Sequence, residues 1–192
     1  CMESVIAQKT DFPIEHIIID DASDDGTQDI IDNYAVKHPH IRPIYMPGQG
    51  ASRNVSMLFS ACKSEYAALC DGDDYFTDPN KLQMQVDFLR ENKDCSVCFH
   101  PVHVKFENGQ RDDFIFPMLE QLPRKSKQRF YLADLVQGNF IQTNSVVYRW
   151  RFRDGLPELF NPYLCPGDWY WHLLHAETGK IGFIPRVMSV YR

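Results

Sequence analysis

Ala68-Leu-Cys-Asp-Gly-Asp-Asp-Tyr-Phe76 joins a short apolar run to three carboxylates set within four residues. Ala67 to Cys70 has the signature of a brief buried strand, with Asp71, Asp73 and Asp74 following at its carboxyl end. Like charges so close repel one another unless something positive lies among them. A hard divalent cation such as Mg²⁺ or Mn²⁺ meets that need, because it prefers carboxylate oxygens and water and takes up phosphates. Gly72 lets the backbone turn and approach a ligand closely. The plainer alternative is a capped turn leading to Asp78-Pro79 and the next helix, but a cap needs one carboxylate, not three.

Upstream, Ile14 to Ile19 is an isoleucine-rich run that also ends in aspartates, Asp20 and Asp21. It predicts a buried strand, then a helix from about Gln28 to Lys37 with Ile30, Ile31 and Tyr34 as its inner face. Ile41 to Met46 is a predicted strand, Pro47-Gly-Gln-Gly50 a loop, Ala51 to Cys62 a helix and Tyr66 to Cys70 a strand. Asp78-Pro79 opens a helix with Leu82, Val86 and Leu89 at helical spacing and Asn92 near its end. Cys1 to Gln8 has the pattern of the end of an amphipathic helix. The alternation predicts an α/β fold: a mostly parallel, Rossmann-like sheet, flanking helices, and a site at the carboxyl ends of the strands.

Further on, Cys95 to Phe106 alternates as a strand does, and Asn108-Gly109 is a hairpin signal. Pro123 to Lys127 is a basic loop, Ala133 to Val136 a short helix and Ser145 to Tyr148 a short strand. After a loop from Pro157 to Pro166, Gly167-Asp168 starts a helix that ends at Gly179. Ile181 to Ile184 and Val187 to Tyr191 are the last predicted strands.

The 192 residues, 44% apolar and 24% charged, suit one soluble globular domain. A net charge of −6 argues against a nucleic-acid surface. No run approaches the roughly 18 apolar residues of a membrane span. Cys1, Cys62, Cys70, Cys95, Cys98 and Cys165 are scattered, which points to a reduced, cytoplasmic protein. Cys95 and Cys98 have metal-finger spacing, but three apart on a strand they face opposite sides, so no zinc site is expected.

Asp20 to Thr27 imitates a calcium loop, with Asp32 at its twelfth position, yet a strand precedes it and that position is usually Glu. Asp21, at a strand end, is placed to accept a ligand N–H such as a pyrimidine imide; a turn cluster without ligand is the alternative. Arg53, near a helix start, suits either the strand-end carboxylates or a nucleotide, and an ordinary ion pair equally. Asp168 begins the aromatic helix Trp169-Tyr-Trp171; a carboxylate beside aromatic surface gains proton affinity, which suits a general base, and a helix cap is the alternative. His172 and His175 are spaced to share a metal, but with no third ligand in view they are expected to be core or solvated histidines.

Together these residues resemble the inverting family 2 glycosyltransferases of the GT-A fold. The matching pieces are Ser4 to Gln8, Glu15 to Thr27, Ala51 to Asn54, Glu65-Tyr66 with Asp71 to Asp74, Asn144 to Arg149, Gly167 to Trp169 and Tyr191-Arg192. They stand in the family's order and leave only roughly residues 107–137 unmatched. The resemblance implies that Asp21 contacts the nucleobase, that Arg53 lies near the nucleotide and Asp71 near the ribose. It implies Asp73 as the direct ligand to Mn²⁺ or Mg²⁺ and Asp168 as the catalytic base, with Asp20, Asp74, Trp169 and Arg192 in support. This chain has Gly167-Asp168 where the family often has Glu-Asp.

The implied reaction is metal-dependent and inverting. A sugar passes from a nucleotide-sugar, UDP-linked, to a hydroxyl of a glycan or lipid-linked acceptor in cell-surface polysaccharide synthesis. The implied setting is the cytoplasm, at the inner face of the membrane, with no nucleic-acid partner. One catalytic domain (1–192) is expected, with a nucleotide- and metal-binding half (1–106) and an acceptor and base half (107–192), the acceptor being chosen near Tyr131 and Arg124. The family opens with a strand like Val-Ser-Val-Ile-Ile-Pro-Thr-Tyr-Asn, which precedes the first residue here and is expected in the native protein. Two rival readings are a non-catalytic sugar-nucleotide binding module and a nucleotidyltransferase, though the latter wants a Gly-rich basic triphosphate loop.

Overall fold

The computed structural model describes residues 1–107, 109, 111–123, 128–156 and 167–192, with only the backbone of Ser52. In chain order the elements begin with α1 (Met2–Ile6), β1 (His16–Asp20), α2 (Thr27–Lys37), β2 (Ile41–Tyr45), α3 (Ala51–Ala61) and β3 (Tyr66–Ala68). Next come β4 (Tyr75–Phe76), α4 (Lys81–Glu91), β5 (Cys95–Phe99), β6 (Val102–Val104), β7 (Phe114–Phe116) and β8 (Arg129–Phe130). Then follow α5 (Leu132–Val136), β9 (Val147–Arg149), α6 (Gly167–Ala176), β10 (Lys180–Phe183) and β11 (Ser189–Tyr191).

These elements form two compact units, each discontinuous in sequence. One comprises Cys1–Asp11, Glu65–Arg151 and Asp168–Arg192; the other comprises Phe12–Ser64 and Phe152–Gly167. In the smaller unit β1 and β2 pair in parallel, from His16 opposite Ile41 to Asp20 opposite Tyr45. Helix α2 was expected to turn both Ile30 and Ile31 inward. Ile31 is 3% exposed and Ile30 52%, because consecutive residues point about 100° apart on a helix and the sheet receives only one of them.

The larger unit carries two sheets, ordered β3-β9-β5-β10-β8 and β4-β11-β6-β7. The expected α/β architecture with flanking helices holds, and the pairing is mixed. β10 runs parallel to β5 and β11 to β6, while β3–β9, β5–β9, β10–β8, β4–β11 and β6–β7 are antiparallel. The single strand predicted over Cys95 to Phe106 is two, β5 and β6, parted at His100-Pro101 where proline has no N–H for a ladder. The hairpin expected there is the β6–β7 pair, although Asn108 itself lies outside the described residues, as do the basic loop at 124–127, Arg124 included, and the loop at 157–166 with Cys165.

The core of this unit gathers on β5. Phe99 lies 5.0 to 6.0 Å, ring to ring, from Phe130, Phe140 and Phe183, and Val97, Cys98 and Phe130 are fully buried. Cys95 and Cys98 are buried free thiols. The turn into β10 leaves no room for a side chain at Gly179: a Cβ there would stand 2.8 Å from the Ser96 nitrogen and 2.9 Å from the Asp94 oxygen. Below β4, the fully buried Lys81 donates to Gln85 Oε1 at 2.8 Å and sits 4.1 Å from the centre of the Phe76 ring. Gln85 in turn donates to the Cys98 and Ser145 carbonyls, at 3.0 and 2.8 Å.

Candidate active site

In the larger unit the chain leaves β3, passes Leu69 and Cys70, and turns at Asp71 to Asp74, closed by the Asp74 N–H to the Asp71 carbonyl at 3.1 Å. The turn exposes Asp71 and Asp73 and buries Asp74. Asp74 Oδ1 accepts the Arg192 N–H at 3.0 Å, and the Asn144 side chain approaches the same buried carboxyl. Burial, opposed by that Arg192 N–H and reinforced by the charges of Asp71 and Asp73, pushes the Asp74 carboxyl up to about 6. Arg192 also donates from Nε to the Asp73 carbonyl and from Nη1 to Glu107 Oε1 at 2.8 Å, with its guanidinium over the Tyr75 ring. The strand end and the acidic turn are thereby tied from both backbone and side chain.

Asp168 stands in the first turn of α6. Its Oδ1 accepts the Trp169 N–H at 2.7 Å, and its Oδ2 accepts Asn139 Nδ2 at 3.3 Å. The Asn139 carbonyl oxygen is engaged by the Ile141 N–H at 3.1 Å, so the amide can only present its NH₂ to Asp168. The Trp169 ring donates to the Leu135 carbonyl at 2.9 Å, anchoring the helix start to α5. Asp71 is pushed above the usual carboxylate range by desolvation, then by the charges of Asp73 and Asp168. Since Asp71 is exposed as a residue, that desolvation is crowding about its carboxyl rather than full burial. The acidic turn and the start of α6 therefore share one electrostatic environment.

Those donors fit a hard divalent ion. Among the described residues no three His, Cys, Asp or Glu side chains stand together as a metal cage; hard divalent ions are commonly held by one or two carboxylates and completed by water and ligand phosphates. His172 and His175 are core residues: both are fully buried, and burial lowers them to about 3 and about 4. His172 Nδ1 pairs with the Tyr148 hydroxyl at 2.6 Å, and Tyr148 stacks on His175 with ring centres 4.1 Å apart.

In the smaller unit Asp20 is buried and Asp21 is not. Burial alone would raise the Asp20 carboxyl, but hydrogen bonds from Ser23 N–H (3.1 Å) and Gln28 Nε2 (2.6 Å) hold it below its ordinary range. They also hold the turn in which Ala22 has a φ of 63°, a left-handed conformation uncommon outside glycine. Asp21 takes the Gln49 and Gly50 N–H groups, at 2.9 and 2.8 Å, one on each oxygen, and these bonds lower its pKa. With further hydrogen bonds from the Asn54 side chain and the Gly48 backbone, it pins the loop before α3. Arg53 is exposed and donates to Gln49 Oε1 at 3.3 Å, with no ion pair among the described residues.

Sequence reasoning named the carboxylates and overlooked Asn139, Lys81 and the Tyr148–His172 pair. An asparagine after a glycine signals a loop; only the folded chain brings it to a carboxylate 29 residues away.

An α/β fold with acidic strand ends is common to many nucleotide-using proteins, and comparison narrows it. The chain belongs to glycosyl transferase family 2, whose model matches residues 1–160, and its fold is GT-A. An uncharacterized protein of Mycobacterium tuberculosis is 44% identical over all of this chain, which spans 53% of that relative. A putative teichuronic acid biosynthesis glycosyltransferase, TuaG of Bacillus subtilis, is 31% identical over 50% of this chain and 37% of its own length. Among solved structures, TarS residues 1–349 of S. aureus in complex with UDP superposes with a TM-score of 0.71 at 16% identity, covering 99% of this chain and 54% of that one. A mannosyltransferase from Pyrobaculum calidifontis in complex with GDP-Man and Mn²⁺ also gives 0.71, at 15% identity over 99% of this chain and 51% of that one.

Proposed function

We propose that this chain is the catalytic domain of an inverting, metal-dependent glycosyltransferase. It moves a sugar from a nucleotide-sugar, UDP-linked, to a hydroxyl of a glycan or lipid-linked acceptor in cell-envelope polysaccharide synthesis. The observation that carries the reading is that desolvation, then the charges of Asp73 and Asp168, raise the Asp71 carboxyl, all three residues lying within one unit. Asp71 stands close enough to Asp73, the carboxylate suited to a metal, and to Asp168, on a helix start, for both charges to be felt. Nucleotide-sugar or nucleotide ligands in the two solved relatives support the donor class.

In this mechanism Asp73 would hold Mn²⁺ or Mg²⁺, with Asp71 nearer the ribose, and the ion when bound would neutralise charge on the leaving diphosphate. Asp168 accepts the proton of the acceptor hydroxyl as that oxygen attacks the anomeric carbon from the face opposite the leaving group. Asn139 and the Trp169 N–H fix the carboxylate so that a free lone pair faces the acceptor. Asp74 and Arg192 keep the acidic turn in shape, and Asp21 and Arg53 serve the nucleoside. Nucleotide and metal groups come from 1–106 and the base from 107–192. No described helix is long and apolar enough to cross a membrane; we place the reaction in the cytoplasm, at the membrane's inner face.

Calorimetric titration of UDP and of GDP, with and without Mn²⁺, tests this on the protein and on Asp73→Ala. Metal-dependent binding lost in the variant is expected. Nucleotide binding indifferent to both Mn²⁺ and Asp73 would refute the metal role. Full nucleotide binding with no transfer or donor hydrolysis would favour a non-catalytic binding module.

A further inference from the structure

Two thiols that the mechanism above does not use meet at the edge of the acidic turn. Cys70 is the residue immediately before that turn, and Cys1 caps the start of α1, 69 residues away in sequence. The Cys1 thiol donates to Cys70 Sγ at 3.7 Å; both cysteines are free and half-buried, and both belong to the larger unit. Cys95 and Cys98, by contrast, are buried in β5, and Cys62 belongs to the other unit. Helix α1 already grips the far side of the turn. Ser4 Oγ accepts the Phe76 N–H at 3.1 Å, and Gln8 Oε1 accepts the Leu82 N–H at 3.0 Å. Gln8 Nε2 donates to the Asp78 carbonyl at 2.9 Å, and the Lys9 N–H to the Pro79 carbonyl at 2.7 Å. On the near side the two sulfurs face each other.

We propose that Cys1 and Cys70 form a redox modification site: a peroxide joins them in a reversible disulfide, and that bond switches off metal-dependent nucleotide binding. The effect on binding rests on the glycosyltransferase reading, whereas the disulfide does not. Cys1 Sγ attacks one peroxide oxygen and becomes a sulfenic acid; the O–O bond breaks, and the other oxygen departs with the Cys1 proton as alcohol or water. Cys70 Sγ then attacks the Cys1 sulfur, the S–O bond breaks, and the leaving hydroxide takes the Cys70 proton to form water. Two electrons pass from the two thiols to the peroxide. Burial pushes the Cys70 thiol up to about 12, so the first attack falls to Cys1 and the second to Cys70. Bonding brings the sulfurs about 1.7 Å closer than their contact of 3.7 Å. Because α1 is tied to the chain beyond the turn, the pull falls on Cys70 and, one residue on, on Asp71. A displacement of about 1 Å is enough to spoil the oxygen shell of a hard ion. In a reducing compartment the pair stays open, and disulfides there are transient and redox-sensing.

The test uses the full-length protein, reduced and desalted, with UDP and GDP each titrated in the presence of Mn²⁺. A second portion is treated with hydrogen peroxide, desalted and titrated again; its remaining thiols are alkylated and its peptides mapped by mass spectrometry. A linked Cys1–Cys70 peptide is expected, with nucleotide affinity lower by about tenfold or more. Dithiothreitol should reverse both. Cys1→Ser should bind nucleotide as the reduced wild type does and be indifferent to peroxide; Cys1→Ala replaces it if the serine upsets α1. The proposal is overturned if the linked peptide does not form, or if it forms and affinity is unchanged. It is also overturned if Cys1→Ser loses affinity to peroxide as the wild type does. A reduced protein that binds neither nucleotide sinks the glycosyltransferase reading and the switch with it, while the peptide map still decides whether the modification forms.

Discussion

Lys81 makes the stability of this fold depend on pH in a way that can be worked out beforehand. An unfolded chain keeps a lysine protonated up to its ordinary 10.5, whereas burial brings the folded Lys81 down to about 7. Between those values the unfolded state binds more protons, so unfolding free energy rises with pH across that window. The gap of about 3.5 pH units corresponds to roughly 5 kcal/mol of penalty at and below neutral pH, relieved as the ammonium loses its proton. From about pH 7 to about pH 9, before the lysine of the unfolded chain titrates, the gain should be roughly 2–3 kcal/mol. Other groups titrate as well, and Lys81→Met cancels them, since only the buried ammonium differs. The variant leaves Gln85 Oε1 without its donor, a cost of about 1–3 kcal/mol independent of pH over this range. Urea unfolding of both proteins at several pH values gives the two curves. Wild type should gain on Lys81→Met by the stated amount as pH rises. Parallel curves would mean that Lys81 keeps its proton in the folded state, through water or relaxation, and the reasoning would fail.

Three further outcomes are expected. Asp168→Asn should lower kcat by about 10²–10⁴ and leave nucleotide–Mn²⁺ affinity unchanged by calorimetry, because it removes the proton acceptor and keeps the shape. Asn139→Ala should lower kcat by about tenfold with little change in donor KM, since the base survives but loses the donor that aims it; equal losses in donor affinity would point to general loosening instead. Gly179→Ala should lower Tm through about 1–3 kcal/mol of destabilisation, because its Cβ meets the backbone of Asp94 and Ser96 rather than a movable side chain.

What could be seen in advance was local. The isoleucine run before Asp20, the helical spacing of Leu82, Val86 and Leu89, and the acidic turn after Cys70 are each complete within a dozen residues. The same locality explains what was missed. β4 and β8 are two residues long, too short for any period, and exist because β11 and β10 lie beside them. The mixed sheet follows from β9 entering between β3 and β5, a pairing that joins Tyr66 to Arg149. Ile30 and Ile31 looked equivalent until a sheet chose between them. Asp21 was legible as a strand-end carboxylate, but its two bonds to the Gln49 and Gly50 backbone depend on how a distant loop folds back.

The bond from the Arg192 backbone to Asp74 spans 118 residues, and it carries a consequence for biosynthesis. The acidic turn is made on the ribosome 118 residues before the arginine that fixes it. Until β11 emerges, Asp71, Asp73 and Asp74 repel one another with no Arg192 to brace the loop. A nascent chain stalled short of that strand can form the parallel pair β1–β2, which needs only residues 16–45, yet cannot hold the acidic turn in its final form. Competence for a cation should therefore arrive abruptly, once β11 has been made.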